Sequence, residues 1–396
     1  MKRLFAILLS ATLALSLAAC GGDSTTSDTS SSTDTGAETD SSAEPIRIGV
    51  MNCFTGGMAA YGEHEMRGIE LAHEQFPEVN GHPIELVIAD NKSDSVESAN
   101  AAQRLIESEN CSIILGSYGS AMCMAAGETV KNGEVPTITA GATNANITLG
   151  NPYYYRACFL DSLQTPLCAQ FCYNEKGYQT AGIIYEITND ACVAQSQFFK
   201  DEFTSLGGTI VGEATYSLGD QDFSSQLLAV AGQNPDVIFI SGAAPDEALA
   251  IQQARTMGYA DVPFISTDGV DVPEFTEIGG DAVKGTVCST HFDAAAEMSS
   301  KTAAFVEDFE AKYGSTPAAY SALAYDTYLI AYEALKQADS YDGPTLKGIL
   351  DNIEVEGVTG MISFDENGDA KKNSVVLKIV GDNGWEFLEI LSDESK

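Results

Sequence analysis

From residue 45 onward the chain alternates short β-branched, apolar runs with longer stretches in which apolar positions recur every three or four residues. Residues 46–50, 84–88, 112–115 and 135–139 are the first four runs, each separated from the next by a helix-length amphipathic segment. That alternation is the rhythm of βαβ units building a parallel sheet. Between the second and third runs, Asp94 can cap a helix while Glu97 reaches back to it, and Ala99, Ala102, Leu105 and Ile106 fall on one face.

A second series at 180–185, 209–212, 236–240 and 263–266 repeats the pattern, interleaved with helical stretches at 190–205 and 245–257. The chain is therefore predicted to be α/β, with two similar doubly wound parallel-sheet domains in tandem. Helical patterns at 299–313 and 318–337 then precede a β-like ending: a run at 361–364, a turn at Asn367-Gly368 and a run at 374–379. Because this ending breaks the rhythm, the chain is expected to return to the first domain and then to the second. The expected lobes are residues 45–160 with 291–369, and residues 161–290 with 370–396. Several crossovers between them make a multi-strand hinge, and the cleft between two such lobes is the default ligand site.

The first 44 residues follow a different logic. Lys2 and Arg3 precede an apolar stretch, residues 4–17, too short to span a bilayer, and Leu17-Ala18-Ala19-Cys20 closes it. This resembles a bacterial lipoprotein signal, which implies that residues 1–20 are a leader ending at an acylated Cys20. Each acyl chain adds about 0.8 kcal/mol of membrane affinity per buried CH₂. The alternative is an ordinary secretory signal, and either implies export. Residues 21–44 contain no aromatic, Leu, Ile, Val or Met, so nothing there offsets the entropy of ordering, and a disordered linker is expected. The expected location is the outer face of the bacterial cytoplasmic membrane, held by the lipid.

Charge and cysteine content narrow the partners. The chain has 57 acidic and 20 basic residues, a net −37. Such a surface repels nucleic acid and anionic head groups, so no nucleic-acid partner is expected. Eight cysteines remain beside Cys20, and several sit in apolar runs where a free thiol behaves as a small hydrophobe, so reduced, core-filling cysteines are expected. Cys168 and Cys172 are four apart on a predicted helix, but no histidine lies near them in sequence, and no metal site is expected. His64-Glu65 and His73-Glu74 begin like zinc-protease motifs, yet Gly68 and Pro77 stand where the second histidine belongs. No nucleophile elbow, Walker loop or dinucleotide fingerprint is present, and the glycine in 365–369 comes too early for a calcium loop. Neither catalysis nor a cofactor is expected.

Residues 49–62 with Thr55-Gly56 and Tyr61-Gly62, 90–94, 114–116 with Ser120, 136–143, 156–164, Gln253-Ala254-Arg255, and Phe364-Asp365 with Gly368 together carry a family pattern. From Pro45 to about Trp385 the chain resembles the type I periplasmic binding proteins of branched-chain amino acid ABC transporters. The resemblance implies that Ser120, Gly141 and Thr143 hold the ligand's carboxylate and that Asp268 holds its ammonium. It also places Asp161 along the cleft and Tyr61 as an aromatic wall of the first domain. Independently of it, the first N–H groups and the positive dipole end of a helix starting at Ser120 would favour an anion. Local readings stand beside these roles: Ser120 as an N-cap, Gly141 with Thr143 as loop formers, and Asp268 as part of a turn.

Where the family's branched-chain binders carry aromatic residues in the second domain, this chain has Asp190 or its neighbour Asn189, and Ala243. A carboxylate and a methyl make that end of the pocket roomier and more polar. The implied function is a substrate-binding lipoprotein that closes on an amino acid and delivers it to ABC permease subunits. The alternatives keep the fold and change the ligand to a small amide, urea or peptide, or change the output to sensing.

Overall fold

β1 (Ile46–Asn52) is buried along nearly its whole length. A strand covered on both faces needs such an unbroken apolar run. The computed structural model describes residues 43–393, so Cys20, the leader and nearly all of the predicted linker lie outside the described residues. After β1 come α1 (Ala59–Gln75), β2 (Glu78–Val79), β3 (His82–Asp90), α2 (Ser95–Gln103), β4 (Ile113–Gly116), α3 (Ser120–Gly133), β5 (Thr137–Thr139) and β6 (Tyr154–Arg156). They build a six-stranded sheet in the order β2-β3-β1-β4-β5-β6, parallel except for the β2–β3 pair.

The second domain contains α4 (Asp161–Gln170), β7 (Thr180–Glu186), α5 (Asp190–Ser205), β8 (Thr209–Tyr216), α6 (Ser224–Val230), β9 (Val237–Ser241), α7 (Ala244–Thr256), β10 (Phe264–Ser266), α8 (Pro273–Gly279) and β11 (Val287–Thr290). Then come α9 (Thr302–Tyr313), α10 (Ala319–Gln337), α11 (Gly343–Leu350) and the small ladder of β12 (Glu354–Gly357) with β13 (Gly360–Ser363). β14 (Ser374–Gly381) and β15 (Gly384–Ser392) finish the seven-stranded sheet β15-β14-β11-β10-β9-β7-β8 as its antiparallel edge. Both sheets therefore reverse strand order at their founding strand, β1 or β7. A doubly wound sheet opens a crevice at such a point, beyond the carboxyl ends of its strands.

Local chemistry sets several of these elements. Asp94 caps α2 by accepting from the amides of Val96 and Glu97, while Glu97 turns to Lys92 Nζ at 3.2 Å instead of closing a reciprocal box. Gly68 lets α1 lie against α10, since a Cβ there would sit 2.0 Å from the Ser321 carbonyl oxygen. The turn at Asn367-Gly368 forms, with the Asp365 carboxylate accepting from the amides of Asn367 and Asp369. Directly across the turn Phe364 and Ala370 form an antiparallel bridge, but the longer flanking runs part, because β13 pairs with β12 and β14 pairs with β11 and β15. The stretch after the turn also bridges Asp369 to Arg156, the last residue of β6. Arg156 is fully buried and binds the Asp369 carboxylate, with its other donors on the carbonyls of Ala142 at 2.8 Å and Asn144 at 2.7 Å. All eight described cysteines are buried and free.

Candidate functional site

Every loop lining the main cleft follows a sheet strand at its carboxyl end. Met58 and Tyr61 come after β1, Gly119 and Ser120 after β4, and Gly141 to Thr143 after β5; the facing wall takes Asn189 and Cys192 after β7, Gly242 and Ala243 after β9, and Asp268 after β10. The cleft is partly open, with about 490 Å³ of empty space when the solvent at its mouth is counted. Among the residues lining it there is no Lys or Arg.

On the first-domain side, Ser120 is the opening residue of α3 rather than its cap, which is Gly119, and its hydroxyl accepts from the Asn144 amide at 3.3 Å. The first N–H groups of such a helix lack intrahelical acceptors and suit an anion. The loop 141–144 is tied from behind by the Arg156 bonds to the Ala142 and Asn144 carbonyls. Gly141 is sterically required, because a Cβ would meet the Tyr320 ring at 2.7 Å. Behind it lies Glu65, buried beside Asn52, whose amide donates to it; burial pushes this carboxyl up to about 8.

On the second-domain side, Asp268 is held by three donors. Gln164 Nε2 reaches Oδ1 at 2.7 Å, while His291 Nε2 at 3.0 Å and the Tyr320 hydroxyl at 3.1 Å reach Oδ2. Asp161 lies under the cleft wall rather than on it. Its Oδ1 accepts from Gln164 at 2.9 Å and Gln195 at 2.6 Å, and its Oδ2 has no partner. Burial, and after it the charge of Asp268, pushes the Asp161 carboxyl up to about 6.

Tyr61 spans the cleft. Its hydroxyl donates to the Gly269 carbonyl at 2.7 Å and accepts from the Ala244 amide at 2.9 Å, and its ring stacks on Tyr118 with centroids 4.2 Å apart.

The structure thus brings Ser120, Gly141, Thr143, Tyr61, Ala243 and Asp268 around one cleft and sets Asp161 directly behind it. Asp190 differs: it is the first residue of α5 and lines a neighbouring groove with Tyr185 and Lys200, while its neighbour Asn189 caps the helix and faces the cleft. Sequence reasoning missed Glu65, Tyr118, Gln195, His291 and Tyr320. His291 and Tyr320 follow the predicted second series, and nothing local marks them. Gln164 lay inside a matching segment without a role assigned to it.

Two doubly wound domains facing each other across a polar cleft are the architecture of solved solute-binding proteins. The periplasmic binding protein family model matches residues 45–384, and the chain belongs to that family. It is similar to the leucine binding protein LivK of Thermotoga maritima, at 37% identity and a TM-score of 0.85 over 89% of this chain and all of that one. The branched-chain amino acid transporter substrate binding protein LivJ of Streptococcus pneumoniae, solved with isoleucine, is 27% identical with a TM-score of 0.83 over 88% of this chain and all of that one. The leucine-, isoleucine-, valine-, threonine- and alanine-binding protein of Pseudomonas aeruginosa is 25% identical over 83% of this chain and 88% of its own.

Proposed function

We propose that this protein is the substrate-binding lipoprotein of an ABC importer and that it closes around an α-amino acid. The observation that carries the reading is the opposition of two charge preferences across one cleft. The opening of α3 with the 141–143 loop suits a carboxylate, and the oriented Asp268 carboxylate suits an ammonium. A zwitterion satisfies both, whereas a ligand with only a carboxylate leaves Asp268 facing no cation.

In this reading the lobes are residues 45–160 with 291–369 and residues 161–290 with 370–396, and ligand stabilises the closed arrangement by its differential affinity for it. The leader motif at Cys20 supports a lipid anchor on the outer face of the cytoplasmic membrane, and the transporter relatives support permease subunits as partners. Isothermal titration of the protein against the common amino acids, urea and short amides tests the ligand. Binding of amino acids that is lost in Ser120→Ala and Asp268→Ala is expected. Binding of amides alone sinks the zwitterion reading. Metabolic labelling with a palmitate analogue, lost in Cys20→Ser, tests the anchor.

A further inference from the structure

An ionised carboxylate offers about four lone-pair sites and only accepts hydrogen bonds. At Asp268 three of them are taken: Gln164 Nε2 at 2.7 Å holds Oδ1, while His291 Nε2 at 3.0 Å and the Tyr320 hydroxyl at 3.1 Å hold Oδ2. The site that remains is on Oδ1, and Asp268 lines the cleft, so an incoming ammonium meets a carboxylate whose other oxygen is already bonded to an imidazole. In that bond His291 Nε2 carries the hydrogen, which makes Nδ1 the ring atom that gains or loses a proton. Nδ1 is buried and has no partner. A proton added there breaks no hydrogen bond of the ring. What it changes is charge, because a cation then stands 3.0 Å from the carboxylate that the ligand needs.

The groups packed around His291 leave Asp268 as its direct counter-charge. Phe159, just before α4, covers the ring with centroids 3.7 Å apart, and Tyr320 of α10 stands edge-on at 6.3 Å. Burial pushes up the Tyr320 phenol and the thiols of Cys158, Cys168 and Cys288, so these stay neutral. Asp271 and Asp293, which flank the end of β11, both lie on Lys378 Nζ of β14, at 2.8 and 3.4 Å. Asp161 reaches the pair through Gln164, whose Nε2 also donates to Asp161 Oδ1 at 2.9 Å. Its carboxyl, pushed up to about 6 by burial and then by the charge of Asp268, is the one neighbour that titrates in the range of a histidine.

We propose that His291 is a positioning residue for the ligand's ammonium, and that a proton on its ring competes with that ammonium for the single charge of Asp268. With the ring neutral, His291 aims the carboxylate and leaves its charge to the ligand. With the ring protonated, Asp268 is paired within the protein and the ammonium gains less from it. Binding therefore sends the Nδ1 proton to solvent, and by the same linkage acid loosens the hold on the amino acid. This rests on the amino-acid reading above and adds to it a response to the pH outside the membrane, where the protein is proposed to sit.

The test is calorimetric titration of the full chain with leucine, alanine and glutamine at about pH 7.5 and about pH 5, either side of the ordinary histidine range near 6.5. For whichever of them binds, affinity is expected to fall about tenfold or more from the higher pH to the lower. Reading that ratio within each variant keeps any change in folding or in basal affinity out of the comparison. His291→Gln, which retains an N–H donor and does not titrate, is expected to reduce the ratio to about threefold or less, whereas Asp161→Asn is expected to leave it near tenfold. Nitrogen NMR of the parent protein needs no variant: the His291 ring is expected to titrate at lower pH with ligand than without. A ratio that survives His291→Gln, a ratio that disappears in Asp161→Asn, or a ring titration that ligand does not move overturns the proposal. Amino-acid binding of equal strength at both pH values overturns it too while leaving the zwitterion reading standing, and no binding of any amino acid at either pH brings down both.

Discussion

At Asp268 three donors from three separate segments fix one carboxylate, so its charge points where the neighbours allow. Asp268→Asn keeps the shape, removes the charge and brings an NH₂ group against donors. Affinity for an amino acid is expected to fall about 100-fold, near 3 kcal/mol, in calorimetric titration. A second residue-scale consequence concerns Glu65, whose carboxyl burial holds up to about 8 against an ordinary value of 4.5. The folded state therefore keeps a proton that the unfolded chain releases at lower pH. Its contribution to stability is fully present below about pH 4.5 and is lost as pH rises toward 8. Glu65→Gln should flatten this part of the pH profile, seen as a smaller fall in unfolding free energy between pH 5 and 8 than in the parent protein.

At the scale of elements, the loops are held by groups that lie far from them in sequence. Gly141 is kept bare by Tyr320 on α10, and Gly141→Ala is expected to lower the thermal midpoint and weaken ligand together, because the ring and the loop must separate. The buried thiols also serve the loops: Cys53, Cys123 and Cys158 donate to the carbonyls of Tyr118, Ser117 and Ala142. The eight cysteines after the leader should resist a thiol reagent in the native protein and all react in denaturant. Fewer than eight after unfolding without reductant would reveal disulfides. The periodic strands and helices were legible because burial on both faces of a parallel sheet writes itself as apolar runs. β6 and β11 were not read as strands: β6 is the three residues Tyr154–Arg156, ending in a buried cation, and β11 is a short run carrying Ser289 and Thr290. Ser120, Gly141, Thr143 and Asp268 were named through their family pattern, and the structure brings them to one cleft. His291 and Tyr320 were not, since only the return of the chain brings them to Asp268.

For the molecule as a whole, Tyr61 joins the two domains at the cleft, as the Tyr320 hydroxyl does at Asp268. Its hydroxyl bonds the loops after β9 and β10 while its ring belongs to the first domain. Tyr61→Phe leaves an amide and a carbonyl unmatched in the shut arrangement and lets water satisfy them when it opens. Apparent affinity is expected to fall about tenfold, worth about 1.4 kcal/mol, with a larger radius of gyration by X-ray scattering at subsaturating ligand.

The two bonds of Tyr61 involve protein atoms alone, so they favour shutting by the same amount whatever solute lies inside. Grip and taste are thereby separable at this one hydroxyl: removing it scales the hold on every solute alike, while the order of preference stays with the groups that line the cleft, the Tyr61 ring among them.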